Sequence, residues 1–99
     1  MRNSILENLV SKQLRMADLE SIFNQAIGFG SNYIGIKISY PNLFEPKIEI
    51  YSNKDFLNVL ETYRTMYSNS LTYIACDDIK IVGFDYGNSF QEIEDWLND

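Results

Sequence analysis

Hydrophobic positions recur every three or four residues at the start of this chain. Leu6, Val10 and Leu14 form one stripe, and Ser4 with Glu7 makes a capping box that satisfies amides exposed at a helix start. Leu19, Ile22, Phe23, Ala26 and Ile27 form a second stripe, half a turn round from the first at about 100° per residue. One straight helix would bury two opposite faces, so the pattern predicts two, roughly 4–14 and 17–27, broken near Arg15-Met16-Ala17. Gly28 and Gly30 end the second. The period then changes from helix to strand. Ile34, Ile36, Ile38 and Tyr40 alternate with Tyr33, Gly35, Lys37 and Ser39, which predicts a half-buried strand. The loop 41–46 leads to a second strand, Lys47 to Tyr51, with Ile48 and Ile50 inward. Ser52 and Asp55 make a weaker capping box before a helix over about 53–67 carrying Phe56, Leu60, Tyr63 and Tyr67 on one side.

Two more apolar runs, Leu71 to Cys76 and Ile79 to Tyr86, flank Asp77-Asp78. A two-residue turn there predicts a hairpin pairing Cys76 with Ile79 and Ile74 with Ile81. One face of it carries Ile74, Cys76, Ile79 and Ile81; the other carries Leu71, Tyr73, Val82, Phe84 and Tyr86. A sheet apolar on both faces needs cover from the C-terminal helix or from another molecule. That last helix opens at Ser89-Phe90-Gln91-Glu92, the clearest capping box in the chain, with Phe90, Ile93 and Leu97 inward. The order ααββαββα describes a single α+β domain over residues 1–99, built on a small, mostly antiparallel four-stranded sheet.

Charge changes the picture from fold to recognition. The net charge of −6 lies in the last 23 residues: Met1 to Cys76 holds seven acids against seven bases, while Asp77 to Asp99 holds seven acids against Lys80 alone. A local field of this sign attracts basic partners and repels nucleic acid, and no Lys/Arg stripe exists to neutralise phosphates. With no histidine and one cysteine, zinc chemistry and an internal disulfide have no ligands. The lone Cys76 fits a reducing compartment and is expected as a small buried hydrophobe. No apolar run or leader marks a membrane span or signal peptide. The expectation is a cytoplasmic protein, in the host cytoplasm if phage-encoded.

The candidate partner-binding residues are Asp77, Asp78, Asp85, Glu92, Asp95, Trp96 and Asp99. Glu92, Asp95 and Asp99 share one helix side, Trp96 flanks it and Glu94 lies across. Side chains three and four apart on a helix are about 5–6 Å apart at Cβ, comparable with the spacing of phosphates that rise about 3.4 Å per step along a strand. Acids near a helix C-terminus also oppose its dipole, and Asp77-Asp78 sets like charges side by side. Terminal acids can equally be a solvated face. Trp96 suits an aromatic anchor against an Arg-rich surface or a packing position on the sheet. Among the tyrosines, Tyr33 and Tyr51 point away from the isoleucines of their own strands. Tyr73, Val82, Phe84 and Tyr86 are the candidate dimer or second-face contact. Asp77, Asp78 and Asp85 match no cation-loop spacing, and Asp85 with Glu92 marks no pocket. Gly28-Phe29-Gly30 is a helix stop rather than a dinucleotide fingerprint. No cofactor, metal or catalytic residue is expected.

In size, acidity and lack of catalytic residues the chain is similar in general character to phage and mobile-element proteins that block host nucleic-acid enzymes, such as anti-CRISPR proteins and uracil-DNA glycosylase inhibitors. No motif carries that likeness. The expectation is an acidic inhibitor of a nucleic-acid-binding enzyme, not itself an enzyme, that uses carboxylates in place of phosphates. An immunity or antitoxin-type protein neutralising a basic toxin, and a structural or regulatory homodimer, are the alternatives.

Overall fold

A computed structural model describes residues 14–97 of the chain. Its elements are α1 (Met16–Phe29), β1 (Tyr33–Ser39), β2 (Lys47–Ser52), a 3-10 turn (Asn53–Asp55), α2 (Phe56–Met66), β3 (Lys80–Gly87) and α3 (Phe90–Leu97). The predicted helix over 4–14 lies, but for Leu14, outside the described residues. The fold is α+β, with a three-stranded antiparallel sheet in the order β2-β1-β3.

The predicted four-stranded sheet is therefore corrected, and with it the hairpin across Asp77-Asp78. The segment 71–76 makes only isolated bridges, Tyr67 with Tyr73 and Thr72 with Lys80. Leu71 is in the left-handed region at φ 61°, which turns the chain and brings its side chain to 0% exposure. The segment still meets β3, with the Ile81 amide donating to the Leu71 carbonyl at 2.9 Å and the Tyr73 amide to the Ile79 carbonyl at 2.8 Å. It goes no further than that bridge, and the ladder of β3 is on β1. That ladder carries a bulge: Lys37 pairs with Gly83 but Ile38 with Ile81, which leaves Val82 extra. The bulge flips the alternation, so Ile81 and Phe84 both face the core while Val82 is 45% exposed.

One sheet face carries Ile34, Ile36 and Ile38, with Ile81 and Phe84 from β3 and Tyr51 from β2. On it pack Leu19, Ile22, Phe23 and Ala26 of α1 and Phe56, Leu60 and Tyr63 of α2, in one buried cluster. Phe23 meets Phe56 edge to face at 5.8 Å. The register places Ile48 and Ile50 beside Lys37 and Gly35, on the opposite face from the β1 isoleucines, which corrects their expected direction. That second face is the one covered by α3, whose Ile93 is 1% exposed and stands outside the main cluster.

The ends of the helices follow from local chemistry. Gly30 closes α1 at φ 69°, and the Ser31 amide donates back to the Ala26 carbonyl at 2.9 Å. At the start of α3, Ser89 Oγ accepts from the Glu92 amide at 3.1 Å, and Glu92 Oε1 accepts from the Asn88 amide at 2.7 Å. Gly87 lets α3 approach this closely, since a Cβ there would lie 2.5 Å from Glu92 Oε1 and 3.3 Å from Ile93 Cγ1. Ser52 does not cap: its hydroxyl is buried with no hydrogen-bond partner, and α2 is entered through the 3-10 turn.

Candidate functional site

The acids of the C-terminal part separate into those the fold uses and those it leaves in solvent. Asp85 lies on the α3-covered face of β3, is 3% exposed, and its Oδ1 accepts from the Tyr86 amide at 2.8 Å. Glu92 is exposed but engaged in the α3 cap. These two contribute to structure before any partner arrives. Asp77, Asp78, Glu94 and Asp95 are exposed. Asp95 accepts one hydrogen bond, from the Gln91 amide nitrogen at 2.8 Å along the helix. The side chain of Trp96, and Asp99 entirely, lie outside the described residues.

The structure does not gather these acids into one row. Asp77 and Asp78 sit in the turn before β3, and α3 starts after its far end. At about 3.3 Å per residue, the strand puts roughly 23 Å between its first and last residues. The exposed acids are thus two groups, the turn pair and the helix acids. Of the expected helix row Glu92, Asp95 and Asp99, Glu92 is drawn into the cap and Asp99 lies outside the described residues. Among the described residues, neither group has a Lys or Arg partner. The ion pairs of the described residues all lie earlier in the chain: Lys47 with Glu49 at 3.2 Å, and Arg64 with Glu20 at 2.7 Å and Glu61 at 3.4 Å.

The candidate dimer face is not a face. Phe84 is 2% exposed and belongs to the core, Tyr73 and Tyr86 pack partly buried against it, and Val82 alone points to solvent at 45%. The bulge turns Val82 away from Phe84 and Tyr86, and alternation alone does not reveal it. Cys76, expected as buried, is exposed in the loop that the left-handed Leu71 creates.

Sequence reading missed a run of tyrosines along the edge of the core. Tyr51 and Tyr63 share a hydroxyl–hydroxyl hydrogen bond at 2.9 Å. Tyr63, Tyr67 and Tyr73 follow with ring centroids 5.3 Å apart at each step. Burial raises the phenol pKa of Tyr51 and of Tyr63, and that of Tyr67 is pushed up to about 12, again mainly by burial. The stripe Phe56, Leu60, Tyr63 signalled α2's inward side but not that β2 would present Tyr51 to it. Of the other three tyrosines, Tyr40 packs partly buried against the core, Tyr33 lies tilted against Phe90 at 4.8 Å and Tyr86 stacks on Phe29 at 6.1 Å.

For chemistry, the described residues offer little convergence. They hold no group of three His, Cys, Asp or Glu side chains placed to bind a metal ion. A groove of about 510 Å³ follows α1, but Glu20, Ser21, Asn24, Gln25, Phe29 and its other lining residues all come from that one helix. A catalytic centre ordinarily draws polar groups from several elements. No helix among the described residues is long and apolar enough to cross a membrane. In comparisons with known proteins, no family model, no curated protein and no solved structure matches this chain.

Proposed function

We propose that this chain is a small acidic inhibitor that binds a basic protein, foremost a nucleic-acid-binding enzyme, and occupies its phosphate-binding surface with carboxylates. One observation carries the reading. Asp77, Asp78, Glu94 and Asp95 are exposed with no Lys or Arg partner among the described residues, in a stretch from Asp77 to Asp99 that holds seven acids against Lys80 alone. Carboxylates left in solvent project a field that steers cationic surfaces towards them. The fold supports a contact in two patches rather than one phosphate-like row, because Asp85 is buried and Glu92 is held in a cap. Guanidinium groups spaced to follow a nucleic-acid backbone suit such patches, each taking a carboxylate as it would a phosphate.

The test uses purified basic nucleases, DNA glycosylases and RNA-guided effectors, assayed for inhibition with increasing nucleic-acid substrate. Inhibition that substrate relieves competitively, and that added salt weakens, supports the reading. Binding confined to a basic toxin transfers the same surface to an immunity role. No inhibition and no binding across both sets removes the reading.

A further inference from the structure

The sheet ends, among the described residues, in a strand edge that no other strand pairs with. β2 is terminal in the order β2-β1-β3, so the backbone groups on its far side have no strand partner within the chain. Exposed edges of this kind are templates for another strand, and proteins blunt them with proline, bulges or charged side chains, which here would have to find complementary charges across the seam. The six residues Lys47–Ser52 contain no proline, and their pairing with β1 runs without a register shift. Their two charges are of opposite sign. Lys47 and Glu49 lie on the same face, 3.2 Å apart, with side chains 59% and 32% exposed.

We infer that the β2 edge pairs with the β2 edge of a second copy of this chain, antiparallel, joining the two sheets into one. The register follows from the charges. In an antiparallel pair related by a two-fold axis, opposed residues lie on the same face and their numbers have a constant even sum. Setting Lys47 opposite itself, or Glu49 opposite itself, places like charges across the seam, which is unfavourable. One register between these sets Lys47 opposite Glu49 of the second copy, Glu49 opposite its Lys47, and Ile48 opposite its Ile48. Both charge pairs are then complementary and the isoleucines meet on the other face. The same register brings Pro46 opposite Ile50 of the second copy. Leu43 and Phe44, 48% and 103% exposed in the preceding loop, then stand at the margin of the contact. A seam this short is small beside stable dimer interfaces, so assembly depends on concentration.

Charge exchange tests the register on the full chain. Sedimentation velocity from about 10 to about 500 µM should show a wild-type monomer–dimer equilibrium. Lys47→Glu and Glu49→Lys should each weaken dimerisation by roughly tenfold or more, because both seam pairs become like-charged. An equimolar mixture of the two variants should recover dimers as a heterodimer, and the double exchange K47E/E49K should recover the homodimer. Thermal scans check that every variant folds; losing the exposed 3.2 Å pair within one chain is a small effect on stability. A wild type that stays monomeric throughout overturns the inference. So do dimers that survive both single substitutions, or a mixture of them that remains monomeric.

Discussion

Among the described residues up to Cys76, Glu20, Glu49 and Glu61 are held in ion pairs while Glu45 and Asp55 stay exposed without one. Beyond Cys76, no described carboxylate has an ion pair with a described Lys or Arg, and each is either absorbed into the fold or turned to solvent. In the first region Arg64 spans from Glu20 on α1 to Glu61 on its own helix, tying α1 to α2. In the second, Asp85 is buried beneath α3, Glu92 closes the α3 cap, and Asp77, Asp78, Glu94 and Asp95 remain exposed. The difference teaches that an acidic stretch is not one feature. Two of its members answer to stability, and four others among the described residues stay in solvent.

The sharpest way to break this comparison is to attack a residue that sequence alone offered to a partner but the fold places in the core. Phe84→Ala should cost about 3–5 kcal/mol, the usual range for emptying a buried aromatic site, measured by urea unfolding. A change near zero would restore Phe84 to the surface. Alkaline pH comes next and strikes only the first region. The phenols of Tyr51, Tyr63 and Tyr67 ionise near pH 10 in an unfolded chain but higher when folded. Their raised values stabilise the fold fully below about pH 10, and that contribution is lost as pH rises through the folded values, near 12 for Tyr67. Melting temperatures should therefore fall steeply above pH 10, in step with tyrosinate absorbance. Phenols that ionise normally in the folded protein would remove this effect.

Within the acidic stretch the expected effects are smaller and separate its members. Glu92→Ala removes the cap acceptor of the Asn88 amide and should cost about 1 kcal/mol in thermal or urea unfolding. Asp77→Asn, Asp78→Asn and Glu94→Gln should each stay within about 0.5 kcal/mol of wild type in the same measurement. Equal costs across the four positions would erase the division between structural and spare acids.

Much of the fold was legible where one residue decides a local outcome. Gly30 ends α1 because it reaches the left-handed region without cost, and Ser89 with Glu92 announces α3 through amides that must be satisfied. The alternation around Ile34, Ile36 and Ile38 marked a strand whose isoleucines are 0–3% exposed. What period alone does not encode is the strand's partner. β3 pairs with β1 across the intervening β2, α2 and the loop after it, the extra Val82 reverses its parity, and Leu71 takes a backbone conformation rare for its type. The acidic site was legible as composition and illegible as geometry. Only burial distinguishes Asp85 from Asp77, and only the cap distinguishes Glu92 from Glu94.

The central claim is that the exposed acids, and not the stretch as a whole, recognise a basic partner. The direct measurement is the affinity of an inhibited enzyme for wild type and for the variant D77K/D78K/E94K/D95K, by calorimetry at low and high salt. The account predicts that wild type binds with steep salt dependence while the reversed variant, equally stable, does not bind. Equal affinity of the two proteins would contradict it.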